Sequence, residues 1–253
     1  PILIQAVPSA KGAGVTLGNS GTWQDQTTFD TAINANLGAG GTFANTGTYR
    51  KSVGTSTTTI SIAFNNTNSG AGTGVVDVQA GRLALTGGGT ANSGSTFTGA
   101  AGTTLEFGGG HTLQAGSSVS GDAGVFSSGT NAVAGTFSAA TSTTFSGGTT
   151  TFTGTVTGVG PTLAATGGTG IFNNAQAINT TALSISGGGL TFSNTGGASA
   201  TTLALSGGTL GGTSTLTIAG LTTWTGGAMT GAGTTQADGG LIIEDDYDAE
   251  HRY

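Results

Sequence analysis

Carboxylates and one histidine are the side chains of this 253-residue chain that could carry acid–base chemistry. Cleavage of a glycosidic bond needs two carboxyl groups on one face, often with a cation beside them. Six acidic residues lie in the body of the chain, each nearly solitary in sequence: Asp25, Asp30, Asp77, Glu106, Asp122 and Asp238. This spacing favours scattered, solvated charges over a catalytic pair.

Arg82, Glu106 and Asp122 are the residues most open to a carbohydrate-active interpretation. On a repeat of about twenty positions they fall at similar places, and could share one face within about 10 Å along a stack of strands. His111 is the only histidine before the acidic tail, too few for a triad or a zinc site. We expect His111 to be exposed and inert in a Gly-rich turn. We therefore predict no catalytic, cofactor-binding or metal-binding residues and no enzymatic activity.

Charge and cysteine content exclude several further classes. The chain has 5 basic and 11 acidic residues, a net charge of −6 and no cysteine. Nucleic-acid binding needs a basic stripe, which the sequence lacks. No run of eighteen apolar residues predicts a transmembrane helix. Without cysteine, disulfides and thiolate metal sites are excluded.

Large apolar residues recur about once every twenty positions, each just before a small Gly-rich turn. The predicted column is Trp23, Phe43, Phe64, Leu85, Phe107, Phe126, Phe145, Ala165, Ile185, Leu205 and Trp224. Self-similarity at such a period is typical of a solenoid, in which each repeat packs only against its neighbours. Stacked Phe107, Phe126 and Phe145 are the core of this prediction.

The turns favour short strands joined by tight corners. Ser146-Gly147-Gly148 recurs two repeats later as Ser186-Gly187-Gly188, and such corners need the positive φ that glycine accepts. Phe152, Phe172 and Phe192 form a second apolar series that begins the next face. We predict an all-β, right-handed parallel β-helix (a β-solenoid) with about twenty residues per coil and roughly eleven coils. A β-sandwich with Gly-rich hairpins is the alternative. The amide side chains of the runs Asn65-Asn66 and Asn173-Asn174 are expected to form ladders at the corners.

The repeats at 73–85 and 104–110 resemble those of large secreted bacterial proteins, the filamentous-haemagglutinin-like adhesins and autotransporter passenger domains. The resemblance covers about residues 21–240 and implies a right-handed β-helix that is exported to the cell surface or the extracellular medium. Many members of these families act as stalks or adhesins. The resemblance therefore implies a structural role.

Three regions follow from this pattern. Residues 1–20 lead into the repeat, residues 21–240 form the β-helix domain, and residues 241–253 form an acidic tail outside it. The tail is similar to the Asp-Tyr segment of pyridoxal-phosphate-dependent aminotransferase-like regulators at Asp246 and Tyr247. The strand-rich body lacks aminotransferase features, so we assign no cofactor. A calcium site among the tail carboxylates is an alternative to a plain solvated end.

Together these features predict a non-enzymatic extracellular structural solenoid: a stalk, an adhesin segment or a surface or filament component. The alternative is a carbohydrate-binding or carbohydrate-active β-helix protein. Expected partners are further copies stacked end to end and cell-surface or glycan contacts, with no nucleic acid and no membrane insertion. Ice binding is a further alternative, since flat rows of threonine suit it. The row in question is Thr162, Ala182, Thr202 and Thr222, and Ala182 interrupts it.

Overall fold

Short parallel strands wind around a central axis in the computed structural model, which describes residues 14–34, 40–68 and 72–244 and the backbone of residues 2–3. The strands are β1 (Ile2–Leu3), β2 (Thr16–Asn19), β3 (Thr22–Asp25), β4 (Thr31–Ile33), β5 (Thr42–Asn45), β6 (Thr48–Lys51), β7 (Thr57–Ile60), β8 (Ala63–Asn66), β9 (Val75–Val78), β10 (Arg82–Leu85), β11 (Gly89–Ala91), β12 (Thr96–Gly99), β13 (Thr104–Phe107), β14 (His111–Leu113), β15 (Ser118–Phe126), β16 (Thr130–Val133), β17 (Thr136–Phe145), β18 (Thr149–Phe152), β19 (Val156–Val159), β20 (Thr162–Ala165), β21 (Thr169–Phe172), β22 (Ile178–Ile185), β23 (Gly189–Phe192), β24 (Ala198–Gly212), β25 (Thr215–Ile218), β26 (Thr222–Met229), β27 (Thr234–Ala237) and β28 (Leu241–Ile243). No α-helix occurs among these described residues.

Alternation within each short strand decides which side chains enter the interior. In β5 and β6 the second and fourth residues are buried and the first and third lie nearer to solvent. Successive side chains of a strand point to opposite faces, so one face of each strand supplies the core. Threonine at the other positions suits a half-exposed strand surface.

The strands form three faces of the solenoid, which we call sheets A, B and C. Sheet A contains β4, β7, β10, β13, β20 and β28. Sheet B contains β2, β5, β8, β11, β14, β16, β18, β21 and β23. Sheet C contains β1, β3, β6, β9, β12, β19, β25 and β27. The long strands β15, β17, β22, β24 and β26 each turn a corner and belong to two or three sheets.

The predicted apolar column is confirmed from Leu85 onward. In sheet A, Leu85 pairs in register with Phe107, and the series continues through Phe126 and Phe145. The Phe107 and Phe126 rings lie 5.7 Å apart between centroids, and the Phe126 and Phe145 rings 5.5 Å apart, both stacked. Their side chains are fully buried. The second series is confirmed too, because Phe152, Phe172 and Phe192 are register partners in sheet B.

The column is wrong for its first three members. Trp23 lies in sheet C and pairs with Tyr49, whereas Phe43 and Phe64 pair with each other in sheet B. The residues that precede Leu85 in sheet A are Ile60 and Ile33, which are register partners of successive coils. Most of the first coils are therefore longer than the later ones. The steps from Trp23 to Phe43 and from Phe64 to Leu85 cover only part of a turn and change face, whereas the step from Phe43 to Phe64 is a full turn within sheet B.

Glycine corners let the coils approach closely. Gly148 has a φ of 67°, and a Cβ there would clash with the carbonyl oxygen of Gly129 in the coil before. Gly188 has a φ of 61° at the equivalent corner, again against the preceding coil. Left-handed backbone and close backbone approach both require glycine. The corners predicted from the repeated Ser-Gly-Gly segments are confirmed at these positions.

The fold is a parallel β-solenoid of about ten turns, where the sequence predicted roughly eleven coils. Stacked pairing runs from Ile2 in β1, which pairs with Trp23, to Ile243 in β28, which pairs with Trp224. The division of the chain at residues 20 and 240 stays a prediction. Residues 245–253, including the Asp-Tyr segment of the tail, lie outside the described residues.

Candidate functional site

Two ion pairs among the described residues lie on the outer faces of neighbouring coils. Arg82 in sheet A donates to Glu106 through Nε and Nη2, at 2.9 and 2.6 Å. Arg50 in sheet C donates to Asp77 through Nε at 2.8 Å. Each pair joins residues of successive coils. Arg50 and Asp77 are direct register partners, and the strands of Arg82 and Glu106 pair with each other. Arg82 and Glu106 therefore share a face, as their similar repeat positions suggested.

Asp122 is not part of this group. Its Oδ2 accepts a hydrogen bond of 2.8 Å from the backbone N–H of Gly102, one coil earlier. Asp30 binds the backbone N–H of Thr57 in the same way, also at 2.8 Å. These carboxylates are bound to backbone across the coil boundary. Glycosidic cleavage requires two carboxylates that face each other. Glu106 and Asp122 do not form such a pair, because Glu106 binds Arg82 and Asp122 binds the backbone of Gly102.

A cluster of buried polar side chains around Asp25 lies inside the first coils. Asp25 lies in sheet C with only 6% of its surface exposed. Its Oδ2 accepts hydrogen bonds from Tyr49 Oη at 3.0 Å and Thr58 Oγ1 at 2.6 Å. Its Oδ1 accepts two more, from the N–H and the hydroxyl of Thr27 at 3.1 and 2.7 Å. One carboxylate thus collects four donors from three different segments of the chain.

Lys51 completes this cluster, which we call the Asp25 cluster (Asp25, Thr27, Tyr49, Lys51 and Thr58). Lys51 is the register partner of Asp25 and is fully buried. Burial alone raises the pKa of Asp25, but the hydrogen bonds from Thr58 and Thr27 and the charge of Lys51 outweigh it and lower this pKa. Burial and the neighbouring Asp25 charge raise the pKa of Tyr49 well above its usual range. The cluster is an ionised carboxylate that accepts hydrogen bonds from three neutral residues, with the charge of Lys51 nearby.

The sequence contains a signal for this cluster that a period of twenty does not detect. Trp23-Gln24-Asp25 and Tyr49-Arg50-Lys51 share one pattern, an aromatic residue followed two positions later by a charge. The two segments pair in register across one of the longer first coils. Because the outer members of each pattern point inward in a strand, this longer period brings Asp25 and Lys51 together.

His111 is buried, so the expectation that it is exposed was wrong. Only 1% of its surface is accessible, and its Nε2 lies 3.0 Å from the carbonyl oxygen of Leu85. Its ring packs edge-on against Phe107 with centroids 5.4 Å apart. The physical reason is its place in β14, where His111 is the first inward-facing residue rather than part of the turn. A carbonyl partner requires a proton on Nε2, which the neutral ring can carry there.

Burial lowers the pKa of His111 to about 4, although the hydrogen bond to Leu85 opposes the shift. The unfolded chain takes up this proton near pH 6.5 and the folded chain only near pH 4, so stability falls as the pH falls between these values. We expect a loss of about 3 kcal/mol from this group between pH 7 and pH 4. Urea unfolding across a pH series measures it.

The matched variant for this titration is His111→Gln, which keeps a donor for the Leu85 carbonyl. We expect a flatter dependence of the unfolding free energy on pH through the window in which the histidine titrates. Asp25 acts in a separate window, because its lowered pKa removes stability only as the pH falls below about 3.8. An unchanged slope in His111→Gln would show that another group takes up the proton.

Asparagine side chains form a ladder in the first three coils of sheet B. Asn19 donates to Asn45 at 2.7 Å, and Asn45 donates to Asn66 at 2.8 Å. The ladder predicted at Asn66 is confirmed, but it lies in the interior, where all three side chains are buried. Asn174 instead donates to Gln176, within its own corner. The expected ladder at Asn174 is therefore wrong.

The row of threonines considered for ice binding is shorter than its spacing suggested. Thr162, Ala182 and Thr202 are register partners in sheet A. Thr222 pairs with Leu203 instead and is fully buried. The pairing of β24 with β26 is offset by one residue from the earlier coils, which is the physical reason. An outward row of these four positions therefore does not form.

Comparisons with known proteins give no relative: no protein-family model, no curated protein and no solved structure matches the chain. Within residues 14–34, 40–68 and 72–244, no three His, Asp or Glu side chains come together as metal ligands. That same part of the chain has no helix long and apolar enough to cross a membrane.

Proposed function

We propose that this protein is a non-enzymatic structural rod that acts outside the cell, as a stalk, an adhesin segment or a component of a surface layer or filament. One observation carries the proposal: five of the six acidic residues in the body bind a partner in the neighbouring coil. These residues are Asp25, Asp30, Asp77, Glu106 and Asp122. The carboxylates that were candidates for catalysis instead form hydrogen bonds and ion pairs between successive coils.

Contacts between successive coils would let the rod resist a mechanical force along its axis. Parallel strands about 4.8 Å apart over about ten turns give a rod roughly 50 Å long. Each coil contacts its neighbours through backbone hydrogen bonds on three faces and stacked core residues, and the ion pairs of Arg50 and Arg82 add to these in the first coils. Stability in such an array is a sum of neighbouring interfaces, so a stalk can be long without a larger core.

The surface of the later coils supports assembly with further copies. Residues 123–237 contain no Asp, Glu, Lys, Arg or His. A neutral surface of threonine, serine and glycine lets copies approach without electrostatic repulsion, and a net charge near zero promotes association. Within the proposal, end-to-end stacking of copies extends the rod into a filament, and this neutral surface is where filaments lie side by side.

Antibody labelling of intact cells that produce the protein tests this function. We expect surface label on unpermeabilised cells, its removal by external protease, and labelled thin fibres or a continuous coat in electron micrographs. Label that appears only after permeabilisation would contradict the proposal. So would turnover of a glycan by the purified chain that Asp122→Ala abolishes, since that result would favour a carbohydrate-active protein.

A further inference from the structure

Ionisable side chains are confined to one part of the solenoid. Among the described residues, every ionisable side chain that bonds to a neighbouring coil lies before residue 123, and Asp122 is the last of them. Residues 123–237 contain no Asp, Glu, Lys, Arg, His, Tyr or Cys. We call the coils before residue 123 the charged part and residues 123–237 the neutral part. No side chain of the neutral part changes its charge with pH.

The neutral part has a core of its own. It contributes to six successive strands of sheet A, in β15, β17, β20, β22, β24 and β26. The rings of Phe126 and Phe145 stack at 5.5 Å between centroids, and those of Phe172 and Phe192 do so at the same distance. Three or more stacked repeats are enough for a stable solenoid, so these six have the size of an independent folding unit.

Carboxylates bind across the coil boundaries of the charged part, and acid weakens these contacts. Asp77 and Glu106 accept hydrogen bonds from arginines, and Asp30 and Asp122 accept them from backbone N–H groups. Hydrogen bonds to an ionised carboxylate are about twice as strong as those between neutral groups. Ordinary carboxyl groups take up a proton near pH 4, so these contacts between coils lose strength below that pH.

The same protons leave the charged part with charges of one sign. At pH 7 residues 1–122 carry five acidic side chains against Lys11, Arg50, Lys51 and Arg82, a net charge of −1. Once the acids are neutral and His111 is protonated, the four bases and this histidine give a net charge of +5. Like charges within one compact unit oppose its folded state. The neutral part gains no charge at any pH.

His111 adds an acid-sensitive contact inside the charged part. Its Nε2 lies 3.0 Å from the carbonyl oxygen of Leu85, and its backbone N–H donates to Asn131 Oδ1 at 2.8 Å. The strands around it are β10, β11, β13 and β16, whose charged residues are Arg82 and Glu106, paired with each other on the outer face. No carboxylate of these strands faces the ring, so its protonation in the folded chain would leave a buried charge uncompensated.

We propose that acid divides this solenoid: below about pH 4 the charged part unwinds, whereas the neutral part stays folded. Coils of a solenoid contact only their neighbours, and units of different stability can open separately. Six coils at about 4.8 Å would keep roughly 30 Å of the rod. This inference concerns the fold and does not depend on the proposed role outside the cell.

Pepsin digestion of the full chain at pH 3, followed by mass spectrometry, tests the proposal. Pepsin cleaves beside large apolar residues, which both parts contain, as at Phe64 and Phe172. We expect cleavage before residue 123 to be at least tenfold faster than within residues 123–237. Chymotrypsin at pH 7, which also cuts beside aromatic residues, is the control and should attack neither part preferentially. Equal rates at pH 3, or the same tenfold preference at pH 7, overturn the proposal.

The two tryptophans give a second measurement, because Trp23 lies in the charged part and Trp224 in the neutral part. Trp224→Phe leaves Trp23 as the fluorescent reporter, and Trp23→Phe leaves Trp224. We expect the fluorescence of Trp23 to change on acidification with a midpoint at least one pH unit above that of Trp224. Coincident midpoints, or an earlier change at Trp224, overturn the proposal.

A matched pair of variants tests the contribution of His111. His111→Gln keeps a donor for the Leu85 carbonyl and removes the proton uptake. We expect pepsin cleavage of the charged part to begin at least half a pH unit lower in this variant. Thr112→Gln, at the exposed neighbouring position of β14, should leave the onset unchanged. An equal shift in both variants, or none in His111→Gln, overturns the role assigned to His111.

Discussion

Phe145→Asp is expected to destabilise the protein by more than about 4 kcal/mol, a large part of the stability of an ordinary domain. Phe145 is fully buried, stacks on Phe126 and packs edge-on against Phe152 and Phe172. An aspartate there would put a charge without a partner into an apolar interior. Thermal or urea unfolding followed by circular dichroism measures the effect.

The control for this variant is Thr144→Asp, one residue earlier on the same strand and facing outward. The two variants add the same charge to opposite faces, so their difference reports burial. We expect Thr144→Asp to cost less than about 1 kcal/mol. A melting temperature that falls equally in both variants, or in neither, would show that Phe145 does not face the interior.

Asp25→Ala is the second large effect, with an expected loss of about 3–5 kcal/mol. The variant removes the acceptor for Tyr49, Thr58 and Thr27 at once. It also leaves the fully buried Lys51 without its neighbouring carboxylate. A buried charge left alone costs more than the intact pair contributes. Urea unfolding at pH 7 measures the loss.

A second substitution shows whether the isolated cation causes this loss. Asp25→Ala combined with Lys51→Met removes the charge and keeps much of its volume. We expect the double variant to recover at least about 1 kcal/mol relative to Asp25→Ala, because neighbours in one network are not additive. A double variant less stable than Asp25→Ala would show that Lys51 contributes through other contacts than Asp25.

The repeat made the fold predictable. Each coil buries its apolar face only against its neighbours, so a period in the sequence maps directly onto a distance along the axis. The column from Leu85 to Trp224 keeps a nearly constant step close to twenty positions, and its members are stacked as predicted. Gly148 and Gly188 marked corners for a related reason, since their backbone conformation admits little else.

The candidate site was less predictable, because side chains in a solenoid meet across coils of unequal length. Arg82 and Glu106 were recognised as neighbours, since the coil between them is close to the usual length. Asp25 and Lys51 were not, because the coil between them is longer and a period of twenty places them out of register.

A parallel solenoid with Gly corners and without a basic or cysteine-based site could be predicted from the sequence, because composition and period depend only on the order of residues. The fold in three dimensions was needed to show which residues face inward where the period changes. It placed His111 in the core, ended the aromatic column at Gly212, and gave the acidic residues partners one coil away. These outcomes depend on strand register, which is set by packing between coils and is not written in any one of them.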